Sequence, residues 1–319
     1  MSREVLVVGA GVVGLWCARE LLRAGARVRV WTRDAPLATT SAVAAAIWYP
    51  YEARPIERVL PWAMRSLACY RGLAGVEGAG VTLVTGTELT TEHLQAPDWV
   101  RGLEGFRALP EDDVPPPYHA GWRLTVPVVE TPLHLAWLAR EVEARGGTIE
   151  RRTVRFLDEI EGTWRAIVNA TGLGARELCA DHDLHPIQGQ VVRVPQPGLA
   201  TWTFFQAPGE MGYVIPRARD VVLGGTAVHD AWSLEPDEQV TADILARCAQ
   251  REPRVRGLSP TASVVGLRPG RSAVRLEAES TANGTLLVHD YGHGGAGITL
   301  SPGCAEEVRR IVLEQGSAT

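Results

Sequence analysis

The sequence predicts an α/β protein of two domains, one assembled from separate stretches of chain and the other built on a large mixed, mainly antiparallel sheet. Three observations carry this. Residues 5–31 read as strand, glycine turn, helix and strand; residues 285–312 read again as strand, glycine turn and helix; and from 190 to 268 short alternating strands follow one another across polar turns. Almost the whole chain separates the two glycine turns, so the first domain must be left and re-entered.

At 319 residues the chain is long for one compact unit and can bury a sizeable core. A formal net charge of −5 and the lack of any basic run argue against a nucleic-acid partner, so the expected substrate is small. No apolar stretch approaches a membrane span, and the chain enters a strand at Val5 without the layout of a signal peptide, which predicts a cytoplasmic protein with no membrane partner. The cysteines (Cys17, Cys69, Cys179, Cys248, Cys304) are scattered and form no C-x-x-C pair, which predicts small buried hydrophobes rather than disulfides or a zinc cluster. Every one of the 32 basic side chains is arginine. The absence of lysine excludes Schiff-base chemistry, a lysine general base and a P-loop.

The first element is an apolar strand, Val5–Val8, followed by the turn Gly9-Ala10-Gly11-Val12-Val13-Gly14 and a helix whose apolar positions include Leu15, Cys17, Ala18, Leu21 and Leu22. Gly25 ends that helix, and a strand through Val28, Val30 and Trp31 completes a βαβ unit. In this Rossmann-like dinucleotide fingerprint the first glycine permits the turn, the second admits a pyrophosphate and the third lets helix and strand touch. The helix start offers free N–H groups to phosphate. The usual acidic residue at the end of the second strand is replaced by Thr32-Arg33, leaving Arg33 to face a phosphate or an adenine. Thr39, Thr40 and Ser41 then bring hydroxyls, and Ala44 to Ala46 bring little bulk: either an alanine-rich helix or a wall that a flat ligand can approach.

Residues 131–147 predict an amphipathic helix with Leu133, Leu135, Trp137, Leu138 and Val142 on or near one face and Gly146-Gly147 as its stop. A strand-like segment around Val154 and another at 166–168 lead into the turn NATGLGA, where the chain returns to the first domain. Asp181, His182 and Asp183 are ligand types, but they read as one short solvated loop, and no metal is expected. The last unit supplies a second run of backbone N–H groups clear of side chains. That suits the ring end of a stretched flavin dinucleotide better than a nicotinamide cofactor, which needs only the first fingerprint.

Taken together, GAGVVGL at 9–15, TTSAVAAAIWYPY at 39–51, NATG at 169–172, YVIPR at 213–217, GLRPGR at 266–271 and HDYGHGGAGITLSPGCA at 289–305 resemble the FAD-dependent D-amino-acid oxidase family, in family order and over nearly the whole chain. The resemblance implies an FAD-binding Rossmann-like domain made of residues 1–54, 130–188 and 281–319, and a substrate-binding domain made of 55–129 and 189–280. It also implies non-covalent FAD, a D-amino acid and oxygen as small-molecule partners, and leaves a homodimer open.

Carried over by residue, the resemblance places Gly9, Ala10, Gly11, Val12, Val13 and Gly14 on the pyrophosphate, Arg33 by the adenosine, and Thr39, Thr40, Ser41, Ala46 and Ile47 along the flavin. Val154 would give backbone to the adenine. His293, Gly294, Gly295, Gly297, Ile298 and Thr299 would cradle the ring and ribityl, with Gly295 also bordering substrate. Arg268 matches an arginine that pairs with the substrate carboxylate and Tyr213 a tyrosine that bonds the same group. Some members carry a lid tyrosine four residues earlier, where this chain has Gly209.

The implied reaction is oxidative deamination of neutral D-amino acids by hydride transfer from the α-carbon to FAD, giving a 2-oxo acid, ammonia and hydrogen peroxide. It needs a clamp and an uncharged amine, and no dedicated acid or base. A glycine or D-aspartate oxidase would share the fold, and a non-catalytic flavin carrier would need neither Arg268 nor Tyr213. Read without the resemblance, Arg268 in its arginine-rich stretch reads as a surface ion-pairing arginine, and Tyr213 reads equally as a core tyrosine with its hydroxyl at the edge.

Overall fold

The computed structural model describes residues 4–50, 52–92, 95–208 and 210–315. The chain begins with β1 (Glu4–Val8), α1 (Val12–Arg23) and β2 (Arg27–Thr32), followed by α2 (Ile56–Leu73), β3 (Val81–Thr90), α3 (Asp98–Arg101), β4 (Arg107–Ala108) and β5 (Ala120–Val129). Next come α4 (Thr131–Ala144), β6 (Thr148–Arg151), β7 (Ala166–Asn169), α5 (Ala175–Leu178), β8 (His185–Pro195), β9 (Trp202–Ala207), β10 (Glu210–Pro216), β11 (Asp220–Gly224) and β12 (Val228–His229). The chain closes with α6 (Glu238–Arg251), β13 (Ala262–Gly270), β14 (Arg275–Ser280), β15 (Leu286–Tyr291) and α7 (Gly297–Gln315).

Two sheets organise these elements, as the sequence predicts. The first has six strands in the order β14-β15-β7-β1-β2-β6, parallel except for β14 against β15. Its central strands are buried along most of their length, which is why β1 and β7 read as apolar runs, while β15 also buries His289 and Asp290. Among the described residues the second has nine strands, β12-β8-β11-β10-β9-β3-β5-β4 with β13 also on β8, and only the β3/β9 pair is parallel. One large apolar cluster, including Trp16, Trp48, Trp122 and Trp202, spans both sheets and the helices between them.

Helices α1, α2 and α7 pack together, and their polar contacts fix where α7 begins. The Tyr70 hydroxyl donates to the Ile298 carbonyl at 2.8 Å, Ser66 Oγ donates to the Leu300 carbonyl at 3.2 Å and accepts from the Gly303 N–H at 2.9 Å. Pro302 has no N–H to give the Ile298 carbonyl within α7, and Tyr70 supplies the missing donor; the Ser66 bonds add to the helix's own ladder. Behind α1, Trp16 Nε1 donates to His134 Nε2 at 3.2 Å while His134 Nδ1 lies 2.8 Å from the Ala79 carbonyl, so burial and this geometry keep the imidazole neutral, its pKa lowered to about 4.

Several expectations differ from the structure. The boundary set after residue 280 cuts off β14, which forms a hairpin with β15 and so belongs to the six-stranded sheet; the boundary at 188/189 falls inside β8. The strand expected around Val154 is instead β6, four residues long, because pairing with β2 stops at Arg151. Leu133, expected on the apolar face of its helix, is 47% exposed. Helix α6 went unread among the strands, although Asp237 caps it by accepting from the Val240 N–H and Ile244 and Cys248 bury its inner face at helical spacing. Cys69 and Cys179 are partly exposed, whereas Cys17, Cys248 and Cys304 are buried as expected.

Candidate active site

The two glycine turns follow β1 and β15, which flank β7 and run parallel to it, so both leave the sheet at its carboxyl end. At the first, Gly9 takes φ +111°, and a Cβ there would lie 2.4 Å from the Ala170 carbonyl of the NATG turn. A Cβ on Gly14 would lie 2.0 Å from the Gly9 carbonyl, so α1 rests directly on the turn that precedes it. Gly11 has no side-chain cap and α1 has no acid in its first turn, so its early N–H groups are turned outward without a competing anion. One of them, Val12 N–H, donates to Ser41 Oγ at 3.1 Å, which brings the hydroxyl stretch onto the fingerprint.

That stretch is not an alanine-rich helix. Residues 40–43 make one short 3₁₀ turn, Ala46 sits in the left-handed region at φ +55°, and Ile47 bridges Val128. Thr131 Oγ1 donates to the Ala42 carbonyl at 3.0 Å, and the Val129 N–H donates to the Ala46 carbonyl at 2.8 Å. A left-handed alanine is uncommon and persists where its surroundings over-determine it. Thr39 spends its hydroxyl on the Pro36 carbonyl, while Thr40 is exposed.

At the second turn, residues 294–296 form a short 3₁₀ turn that runs into α7, with Gly295 exposed and Ala296 and Ile298 buried. Thr299 Oγ1 donates to the Tyr49 carbonyl at 2.9 Å and accepts from the Tyr49 N–H at 3.0 Å, tying α7 to the 39–49 stretch. The His293 imidazole is 2% exposed, and its Nε2 lies 3.2 Å from Asp290 Oδ1. Asp290 also accepts from the Cys17 thiol at 3.4 Å, and Cys304 completes a buried convergence of ligand-type atoms within 4.8 Å of one another. Sequence spacing did not reveal this group, because Cys304 comes from α7 while Asp290 and His293 lie on β15 and in the turn after it.

The nine-stranded sheet contributes Arg268 and Tyr213. Strand β13, which carries Arg268, packs against both the 40–43 and the 294–296 turns. The Arg268 guanidinium lies over Gly189, donates Nη1 to the Thr226 carbonyl at 2.9 Å and stands beside the Tyr213 phenol, whose ring lies over Gly224 and Gly225. Burial pushes the Tyr213 phenol up, against the pull of the Arg268 cation, so it stays a neutral donor. Both residues are half-buried, and Tyr213 also packs against the large apolar cluster.

Other candidates are placed differently. Arg33 is 74% exposed and pairs with Asp34 at 2.9 Å. Val154 is half-buried beside Trp31 and Leu157. Asp181 is no solvated loop residue: it accepts from Arg271 at 3.0 Å and from the Tyr291 hydroxyl at 2.9 Å, and although burial works against its carboxylate, these bonds hold it below the usual range. Gly209, the position matched to a lid tyrosine, lies outside the described residues.

Comparison with known proteins agrees with this geometry. A family model for FAD-dependent oxidoreductases matches residues 4–311. The chain is 46% identical to a D-amino-acid oxidase of Rubrobacter xylanophilus, covering 97% of this chain and 95% of that protein. It is 43% identical to a D-amino-acid oxidase of Streptomyces coelicolor, covering 97% and 96%. The crystal structure of glycine oxidase from Geobacillus kaustophilus superposes with a TM-score of 0.82 at 21% identity, covering 98% of this chain and 95% of that one, and shares the fold. By sequence, by fold and by its paired glycine turns, this chain belongs to the family of FAD-dependent oxidoreductases.

Proposed function

We propose that this protein is a D-amino-acid oxidase that binds FAD across the two glycine turns and clamps its substrate with Arg268 and Tyr213. The observation that carries the reading is the Arg268–Tyr213 pair on a strand packed against both turns. The relatives' names, at 43–46% identity over 97% of the chain, point to the same activity.

The residues present fit FAD. The α1 start and the 294–296 turn offer backbone N–H groups with no acid in the first turn of either following helix. Gly9, Gly11 and Gly14 would hold the pyrophosphate with Ala10, Val12 and Val13 beside them, and Ser41, Thr39, Thr40, Ala46 and Ile47 would follow the ribityl. Gly294, Gly295, Gly297, Ile298 and Thr299 would carry the ring, with His293 anchoring that loop from within. Arg33 is on hand for the adenosine and Val154 near it. When bound, FAD supplies the two-electron acceptor for the substrate's α C–H bond. We assign the six-stranded unit to the cofactor and the nine-stranded unit to the substrate.

Arg268 has one nitrogen committed to the Thr226 carbonyl, which leaves the rest of its planar fork for a carboxylate. Tyr213 adds a neutral donor to the same carboxylate. Fixing that group at two donors fixes the carboxylate plane, and a further contact to the amine or the side chain is what then decides which α-substituent points toward the glycine turn and so which enantiomer reacts. The released imino acid hydrolyses to a 2-oxo acid and ammonia, and oxygen is reduced to peroxide.

The test is the visible spectrum of the purified protein under anaerobic conditions. Bleaching of the flavin bands by D- but not L-amino acids is the expected result; a yellow protein bleached by neither would remove the substrate assignment.

A second test acts on the clamp alone. In Gly189→Ala the new Cβ would stand 2.3–2.4 Å from the Arg268 guanidinium, and the free end of a side chain gives way more readily than backbone. The expected outcome is a KM raised by about tenfold with FAD content and Tm unchanged, since about 1.4 kcal/mol of lost binding is tenfold. Steady-state kinetics beside a thermal melt read both.

A further inference from the structure

We propose that Glu88 is the charge filter of the substrate's side-chain pocket: it disfavours D-amino acids with anionic side chains and favours cationic ones. This rests on the D-amino-acid oxidase reading and extends it to substrate class.

The argument starts from register. Tyr213 on β10 is paired with Phe204 on β9, Phe204 with Glu88 on β3, and Glu88 with Trp122 on β5. Paired residues project to the same face, so these four side chains form one row across the nine-stranded sheet. Strands lie roughly 4.8 Å apart, which puts the Glu88 backbone roughly 10 Å from that of Tyr213. On the other side of Tyr213 the sheet face is already covered, by the Tyr213 ring over Gly224 and Gly225 and by Arg268 over Gly189. A substrate whose carboxylate is held there has its side chain directed the opposite way, toward the Tyr49 ring that lies against Phe204 and toward Glu88 behind it.

Tyr49 closes that end. Its ring stacks on Phe204 at 6.1 Å and 16°, and its backbone is bonded in both directions to Thr299, at the start of α7. Its hydroxyl donates to Glu88 Oε1 at 3.0 Å, and Trp122 Nε1 donates to Glu88 Oε2 at 2.8 Å. The carboxylate is 7% exposed and has two neutral donors but no cation. A buried carboxylate without a counter-charge is costly, and its field reaches whatever charge enters beside it.

The neighbouring elements add no competing charge among the described residues: β5 contributes Trp122, β9 contributes Phe204, Trp99 of α3 packs edge-on to Tyr49, and the one titratable group facing Glu88 is the Tyr49 phenol, held neutral by burial and by Glu88 itself. Burial pushes the Glu88 carboxyl up to about 7, against the hydrogen bonds from Trp122 and Tyr49. The filter therefore acts above pH 7 and relaxes below it.

The experiment compares kcat/KM for the isosteric pair D-aspartate and D-asparagine in the holoenzyme and in Glu88→Gln. Glutamine can still accept from Trp122 and donate to the Tyr49 hydroxyl. At pH 8 the variant is expected to raise the D-aspartate to D-asparagine ratio by on the order of tenfold, the size of a charge–charge effect at this range and an intermediate dielectric. It should lower the ratio of D-lysine to D-norleucine in the opposite sense. In the unsubstituted enzyme the first ratio should rise as pH falls from 8 to 6, a trend the variant loses. Ratios that stay the same, or rates that fall in parallel for all four substrates, would overturn the filter and leave Glu88 a support for Tyr49. The pH trend needs no substitution, so it decides the matter even if Glu88→Gln misfolds. Failure of the oxidase reading looks different, since then no D-amino acid is turned over at all.

Discussion

Arg268→Met is expected to lower kcat/KM for neutral D-amino acids by roughly 10²- to 10³-fold, because removing one partner of a buried, hydrogen-bonded charge pair costs several kcal/mol. The loss should fall mainly on KM, since the clamp holds the carboxylate before and during reaction alike. Methionine matches the aliphatic stem of arginine and lies over Gly189 without a clash, so the sheet should survive; the Thr226 carbonyl loses one donor. FAD content, read from the visible spectrum, should be unchanged, because Arg268 reaches over the nine-stranded sheet while the fingerprint glycines sit on the other. Arg268→Lys should recover only part of the loss, as a point charge cannot fork onto a carboxylate. Anaerobic titration with a D-amino acid separates a weak clamp, which bleaches at high concentration, from no clamp. Turnover at the level of the unsubstituted enzyme would remove Arg268 from the site.

What was legible in the sequence is local. The G-x-G-x-x-G turn lies within one strand and one helix, and the 285–312 unit repeats that logic, so hydrophobic period and glycine placement were enough for both. The mixed sheet could be foreseen as a class from its short alternating strands. Pairing could not: residues 275–280 fell inside the stretch given to the substrate domain, yet as β14 they turn back onto β15, and nothing in them says which sheet will receive them. Arg268 and Tyr213 were found through family motifs, whereas Tyr49, Glu88 and Trp122 meet only through the registers of β3 and β5 and through the tie between Tyr49 and Thr299. Likewise the Asp290, His293 and Cys304 group depends on how α7 docks on β15 and α1. Side chains far apart in sequence share an address only after the sheet has formed.

Gly14→Ala, by contrast, should disable cofactor binding and stability together. The added Cβ would stand 2.0 Å from the Gly9 carbonyl oxygen and 2.9 Å from its carbon, and both are backbone atoms of the same strand–turn–helix unit. No rotamer change relieves such a contact; either α1 moves away from β1 or the turn opens. Overpacking of this kind costs on the order of 1–3 kcal/mol or more. Moving α1 also shifts the N–H groups meant for the pyrophosphate, so FAD should be retained poorly even where the chain still folds. Gly72→Ala is the matched comparison: the same methyl, near the end of α2, meets nothing within 4 Å. There alanine should be neutral or stabilising by up to about 1 kcal/mol through helix propensity. Thermal melts with and without added FAD read the difference, since a ligand that binds only the folded state raises Tm with its concentration. If Gly14→Ala melts like Gly72→Ala and gains as much from FAD, then contact between α1 and its turn is not what shapes the pyrophosphate site, and the fingerprint would be ornament on a cradle built elsewhere.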